Sequence, residues 1–108
     1  MLEDLDLLVR TLHNKGAKHR KRGFKLNEVT KECAAAHLGE EVSEYIAVTI
    51  APEGRKLVDK EKGTYQHLLE ESADTLLTWL HLNWINGLPL KEILVKAESK
   101  LDDIFILE

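Results

Sequence analysis

The chain has 108 residues, room for one small domain spanning 1–108 whose core alone is modest. Hydrophobic residues at 44% and charged residues at 31% argue against disorder. A formal net charge of −4 disfavours a general nucleic-acid binder and suits a site that gathers carboxylates around divalent cations.

Cys33 stands alone, so neither an intrachain disulfide nor a zinc site of several thiolates can form. It reads as a small core residue rather than a nucleophile, because no oriented base accompanies it. The opening Met1-Leu2-Glu3-Asp4 lacks a basic, then apolar, leader pattern. No run approaches the roughly 18 apolar residues of a membrane span. The expectation is a cytoplasmic protein with no membrane partner.

Four helical segments and no useful strand alternation follow in chain order. The first carries Leu5, Leu8, Val9 and Leu12 and ends near Gly16. A basic linker, Lys18-His19-Arg20-Lys21-Arg22, closes at Gly23. The second helix is expected to start after Asn27 as N-cap and to run to about Thr49. Pro52 and Gly54 break it, and a polar loop from Ala51 to Gly63 follows, with Leu57 and Val58 able to form a short docking turn. The third helix is expected from an N-cap at Thr64 to about Asn86, with Gly87 just past its end. Pro89 suits the first turn of a fourth helix bearing Leu90, Ile93, Leu94, Ala97, Leu101 and Ile104. There is no strong internal repeat and no low-complexity tract.

The acids on the two central helices carry the chemistry. At about 100° per residue, Glu40, Glu41 and Glu44 share one sector of the second helix. Glu71 and Asp74 lie about 60° apart on the third. Cys33, Ala36, His37, Ala47 and Val48 share the face of the first set, which is therefore not a solvated one. Leu38, Val42, Tyr45 and Thr49 make the opposite face apolar too, with Ile46 at its edge. A helix apolar on both sides is packed on both sides. Clustered, partly buried carboxylates raise one another's pKa unless a cation neutralises them. Hard oxygen donors without a thiolate point to Mg²⁺ or Mn²⁺. The plain alternative is a solvated acidic face.

Glu40-Glu41-Val42-Ser43-Glu44 followed by Glu71-Ser72-Ala73-Asp74 resembles the E-E-x-x-E … E-x-x-D signature of the MazG-like all-α nucleoside triphosphate pyrophosphohydrolases, which include dCTP and dUTP pyrophosphatases. His37-Leu38-Gly39, Leu76-Leu77, Gly87-Leu88-Pro89-Leu90 and Lys96 add to the likeness, which covers about residues 28–50 and 64–104. The four helices, the two-sided second helix and the small size predict an all-α four-helix MazG-like subunit whose bundle is completed by oligomerisation, as a homodimer or homotetramer. The resemblance implies a (d)NTP substrate cleaved to (d)NMP and pyrophosphate, as in nucleotide-pool house-cleaning. Glu41, Glu44, Glu71 and Asp74 match metal-ligand positions, and Glu40 or Glu41 could activate water. Lys96 matches a phosphate-contacting lysine. Lys100 stands near a position where relatives carry asparagine, and no arginine follows it.

Several residues keep two readings. Trp79 and Trp84 could stack on a base or pack in a core or subunit interface. His67 and His81, with Thr78, lie on the acid side of the third helix, as phosphate or supporting partners or as packing residues. The Lys18–Arg22 cluster could reach phosphates or RNA, or be a solvated loop. A di-iron bundle would need E-x-x-H motifs, and the sequence has none. A non-catalytic nucleotide-binding or oligomeric interaction protein is the remaining rival.

Overall fold

A computed structural model describes residues 2–50 and 63–104. The described residues form four α-helices and no strand. They are α1 (Leu2–Asn14), α2 (Lys31–Ile50), α3 (Gly63–Ile85) and α4 (Leu90–Ile104), with a 3-10 turn at Leu26–Glu28 between α1 and α2. The loop read around Pro52, Gly54, Leu57 and Val58 lies outside the described residues. No described helix is long and apolar enough to cross a membrane. The chain divides into two compact units, Met1–Val29 with Asn83–Glu108, and Thr30–Leu82.

The first unit is built on α1, which packs against α4 and the 3-10 turn. Among its described residues, Val9 of α1 and Leu90 at the head of α4 are the buried apolar ones. Gly16 ends α1 at φ +66°, its N–H bonding to His13 O and that of Ala17 to Leu12 O. This pair of bonds caps the last carbonyls of the helix and needs a left-handed residue. Gly87 repeats the arrangement at the end of α3, at φ +74°, with bonds from Gly87 to Trp84 and from Leu88 to Asn83. Pro89 directly precedes α4, and its carbonyl accepts from Ile93 N–H at 3.2 Å.

The basic linker is an ordered turn. Lys18 and Lys25 form an antiparallel bridge, and His19 N–H donates to Phe24 O at 2.8 Å. His19 Nδ1 accepts from the backbone N–H groups of Lys21 and Arg22 at 3.2 and 3.1 Å. Arg20, Lys21 and Arg22 project from this turn into solvent.

In the second unit, α2 starts three residues later than Asn27 would place it. Asn27 is taken up in the 3-10 turn, and Thr30 caps the helix, its Oγ1 accepting from Cys33 N–H at 3.2 Å. Ala34, Glu41 and Val48 are the buried residues among the described side chains of α2. They recur every seventh position, so they lie along one stripe. Glu41 therefore occupies a core position between two apolar residues. Cys33 and Ala36 are exposed, which corrects the expectation that Cys33 belongs to the core.

Helix α3 carries Leu80 as its buried apolar residue. Thr75 meets α2: its hydroxyl donates to Glu71 O at 2.8 Å and lies 3.3 Å from Glu41 O. Contact of Glu41 with Thr75 and of Glu44 with Glu71 sets the two helices antiparallel here. Leu38, Val42 and Tyr45 of α2 and Ser72, Leu76 and Trp79 of α3 line an open groove of about 320 Å³. Ile46, Leu69 and Leu77 are also exposed on this unit.

Candidate metal centre

The centre is made where α2 and α3 meet. One carboxylate oxygen from each of Glu41, Glu44 and Glu71 lies within 4.8 Å of the others. Glu41 is buried, Glu71 half-buried and Glu44 exposed, so the cluster grades from the interior to solvent. Helical geometry accounts for the set: Glu41 and Glu44 are three apart on one helix, and Glu71 faces them from the other.

Each of the two inner carboxylates meets a histidine through its Oε1. Glu41 Oε1 lies 3.2 Å from His37 Nε2. Glu71 Oε1 lies 3.5 Å from His67 Nε2. Glu41 Oε2 and Glu71 Oε2 are buried without a hydrogen-bond partner. A buried ionised oxygen left unpaired is costly, and proteins rarely leave one without a ligand or a proton.

The electrostatics agree with that cost. Burial pushes the Glu41 carboxyl above the usual range, and the charges of Glu44 and Asp74 push it further, while His37 opposes them. Glu71 is likewise raised by burial first. Glu44 follows, both by its charge and by the proton the two carboxyls can share, and then Asp74 and Glu41. Asp74 is exposed on α3 and outside the trio of converging oxygens, yet close enough for both inner acids to feel its charge.

These donors fit a hard divalent cation. All three converging ligands are carboxylate oxygens, and two of them offer a buried, unpartnered oxygen. Oxygen donors with open positions toward solvent suit Mg²⁺ or Mn²⁺ bound alongside substrate oxygens.

The other sequence-selected residues are distributed unevenly. Glu40 is exposed and not part of the converging trio. Trp79 lines the groove of the second unit. Trp84 belongs to the first unit and stacks on His13, with ring centroids 3.6 Å apart. Lys96 and Lys100 are exposed on α4, also in the first unit, and so is the Lys18–Arg22 turn. Thr78 spends its hydroxyl on Asp74 O and Thr75 O, each at 3.0 Å.

The sequence marks His37 as a neighbour on the acid face and as part of the stretch before the acidic signature, and leaves His67 with two readings. The pattern that would have joined them is visible in the chain. His37-x-x-x-Glu41-x-x-Glu44 and His67-x-x-x-Glu71-x-x-Asp74 share one spacing. Residues four apart meet on a helix, so each histidine lies over its own glutamate.

Comparison with protein-family models, with characterised proteins and with solved structures returns no match.

Proposed function

We propose that this chain is a Mg²⁺-dependent nucleoside triphosphate pyrophosphohydrolase of the MazG-like type, with Mn²⁺ as an alternative ion. It would convert (d)NTP and water to (d)NMP and pyrophosphate. The observation that carries the reading is the convergence of one carboxylate oxygen from each of Glu41, Glu44 and Glu71, in a cluster where Glu41 and Glu71 each keep a buried, unpartnered oxygen. The signature acids of the sequence resemblance are the same residues, with Asp74 beside them.

In this reading Glu41, Glu44, Glu71 and Asp74 hold the cation. Bound there, the cation neutralises phosphate oxygens and lowers the pKa of a water. Glu40 directly precedes Glu41 in sequence without belonging to the ligand set, and Glu40 or Glu41 is the carboxylate that accepts the water's proton. The groove beside the site, with Trp79 in its wall, offers an apolar surface for a base. Lys96 and Lys100 are assigned to the triphosphate on the strength of the sequence resemblance alone.

A homodimer or homotetramer belongs to the same proposal. Ile46, Leu69, Leu76 and Leu77 are large apolar side chains left exposed on a unit of two helices. Association would cover them and complete the bundle.

The test is a panel of ribo- and deoxyribonucleoside triphosphates incubated with and without Mg²⁺, reading pyrophosphate release. Pyrophosphate formed only with the cation, and lost in Glu41→Gln and Glu71→Gln, supports the reading. Cation-dependent binding of nucleotides with no turnover on any of them would replace the hydrolase with a nucleotide-binding protein.

A further inference from the structure

The recurrence of His-x-x-x-Glu on two facing helices goes beyond a ligand set. His37 and His67 come from different helices, yet each presents Nε2 to the Oε1 atom of the acid four residues on, at 3.2 and 3.5 Å. In both pairs the other oxygen, Oε2, is the one left buried and without a partner. His37 makes a hydrogen bond, and His67 stands at the longer ion-pair distance on the matching oxygen of Glu71.

We infer that His37 and His67 are positioning residues for the cation site, each holding the outer oxygen of its glutamate so that the inner oxygen faces the ion. This inference rests on the metal-centre reading and adds the residues that orient it.

An ionised carboxylate only accepts, so each imidazole must meet it with an Nε2–H donor. That places a proton on Nε2 of each imidazole. It also fixes the carboxylate plane, because a glutamate at the end of three rotatable bonds otherwise samples many orientations. His37 is half-buried over a buried Glu41, which limits the alternatives for both. Supporting donors of this kind change cation affinity roughly 10- to 100-fold in metal proteins generally. A direct nitrogen ligand is the rival role. It would require each imidazole to leave its carboxylate contact and would shift the site toward softer ions.

Glutamine places its Nε2 donor near the position of the imidazole Nε2, whereas asparagine is too short and phenylalanine carries no donor. The experiment measures Mn²⁺ affinity of the full chain, by the electron paramagnetic resonance of free Mn²⁺, in the unvaried protein and in His37 and His67 variants to Phe, Asn and Gln. Weakening of about 10- to 100-fold in Phe and Asn, with Gln restoring affinity to within a fewfold, supports the inference. The Asn variants keep a polar surface, so the comparison survives if a Phe variant does not fold. Equal affinity in all folded variants overturns it. Nitrogen coupling in the pulsed resonance spectrum of the bound Mn²⁺, lost with the histidine, also overturns it by making the imidazole a ligand. No Mn²⁺ binding by the unvaried chain at millimolar concentration would instead remove the metal centre itself.

Discussion

His37 Nε2 sits 3.2 Å from Glu41 Oε1, and the second oxygen of that carboxylate is buried with nothing to bond. One side of Glu41 is thus committed to the protein, and the other is held in reserve at a core position of α2. An apolar residue would serve packing better there, as Ala34 and Val48 do above and below it. A charge in that place is expensive and is understandable as a ligand.

Replacement of Glu41 or Glu71 by glutamine should therefore separate function from stability. Each change removes a charged donor from the proposed ion while keeping the side-chain volume. Loss of several kcal/mol of transition-state stabilisation corresponds to a fall of about three orders of magnitude in turnover. Metal-free stability should hold or rise, because a buried, unpaired charge is gone. Pyrophosphate release and thermal unfolding in chelator measure the two sides. Full activity in both variants would place the chemistry elsewhere.

Gly16 and Gly87 end their helices in the same left-handed geometry but in different surroundings. A Cβ at Gly16 would lie 2.9 Å from Asn27 Nδ2, whereas nothing lies within 4 Å of one at Gly87. Gly87→Ala should cost about 1 kcal/mol, the backbone penalty alone. Gly16→Ala should cost more, because the Asn27 amide must move as well. In an Asn27→Ala background the excess should vanish, leaving the two glycine sites alike. Chemical denaturation of the four variants checks this. Equal costs in the unvaried background would mean that the amide yields freely.

Those two glycines mark what the sequence made legible. Helix ends at Gly16 and Gly87 follow from a requirement that only glycine meets cheaply, so they can be read from one residue. The start of α2 could not be read that way. Asn27 and Thr30 are both good caps, and the choice fell to Thr30 because Leu26–Glu28 closes as a 3-10 turn. The Lys18–Arg22 turn reads in sequence only as a linker, since a single His19 acceptor organising two N–H groups leaves no periodic trace. Glu41, Glu44, Glu71 and Asp74 could be selected from helical spacing. Their unequal exposure could not, because it depends on which stripe of α2 turns inward, and apolar residues flank the helix on both sides.

Thr75 ties the site to the helix crossing. Its hydroxyl bonds to Glu71 O and reaches Glu41 O, so it touches the backbone of both inner acids. Thr75→Val keeps the shape and removes the hydroxyl. The expected cost is about 1 kcal/mol, which lowers the melting temperature by roughly 4–8 °C for a chain of this length. Serine should recover most of the loss. A valine variant that melts with the unvaried protein would show that backbone bonding within each helix already suffices.

The raised carboxyls of Glu41 and Glu71 make a sign prediction for pH and cations together. Both groups bind protons more readily folded than unfolded. Between the ordinary glutamate value of about 4.3 and their raised values, the native state therefore holds more protons than the unfolded chain. Their contribution to metal-free stability is most favourable at the acid end of that window and falls as pH rises. Other acids titrate too, so the quantity to measure is the stability of the unvaried protein minus that of the Glu41→Gln, Glu71→Gln double variant, in chelator. This difference should become more unfavourable from about pH 4.5 toward neutrality. Mg²⁺ competes with the protons for the same oxygens, so its stabilising effect should grow over the same range. At one hundred times its dissociation constant the ion adds about 2.7 kcal/mol at neutral pH. The double variant should lack the stabilisation by Mg²⁺. A pH-independent difference between the two proteins would mean that the inner acids are solvated, and a Mg²⁺ effect retained by the double variant would locate the ion away from them.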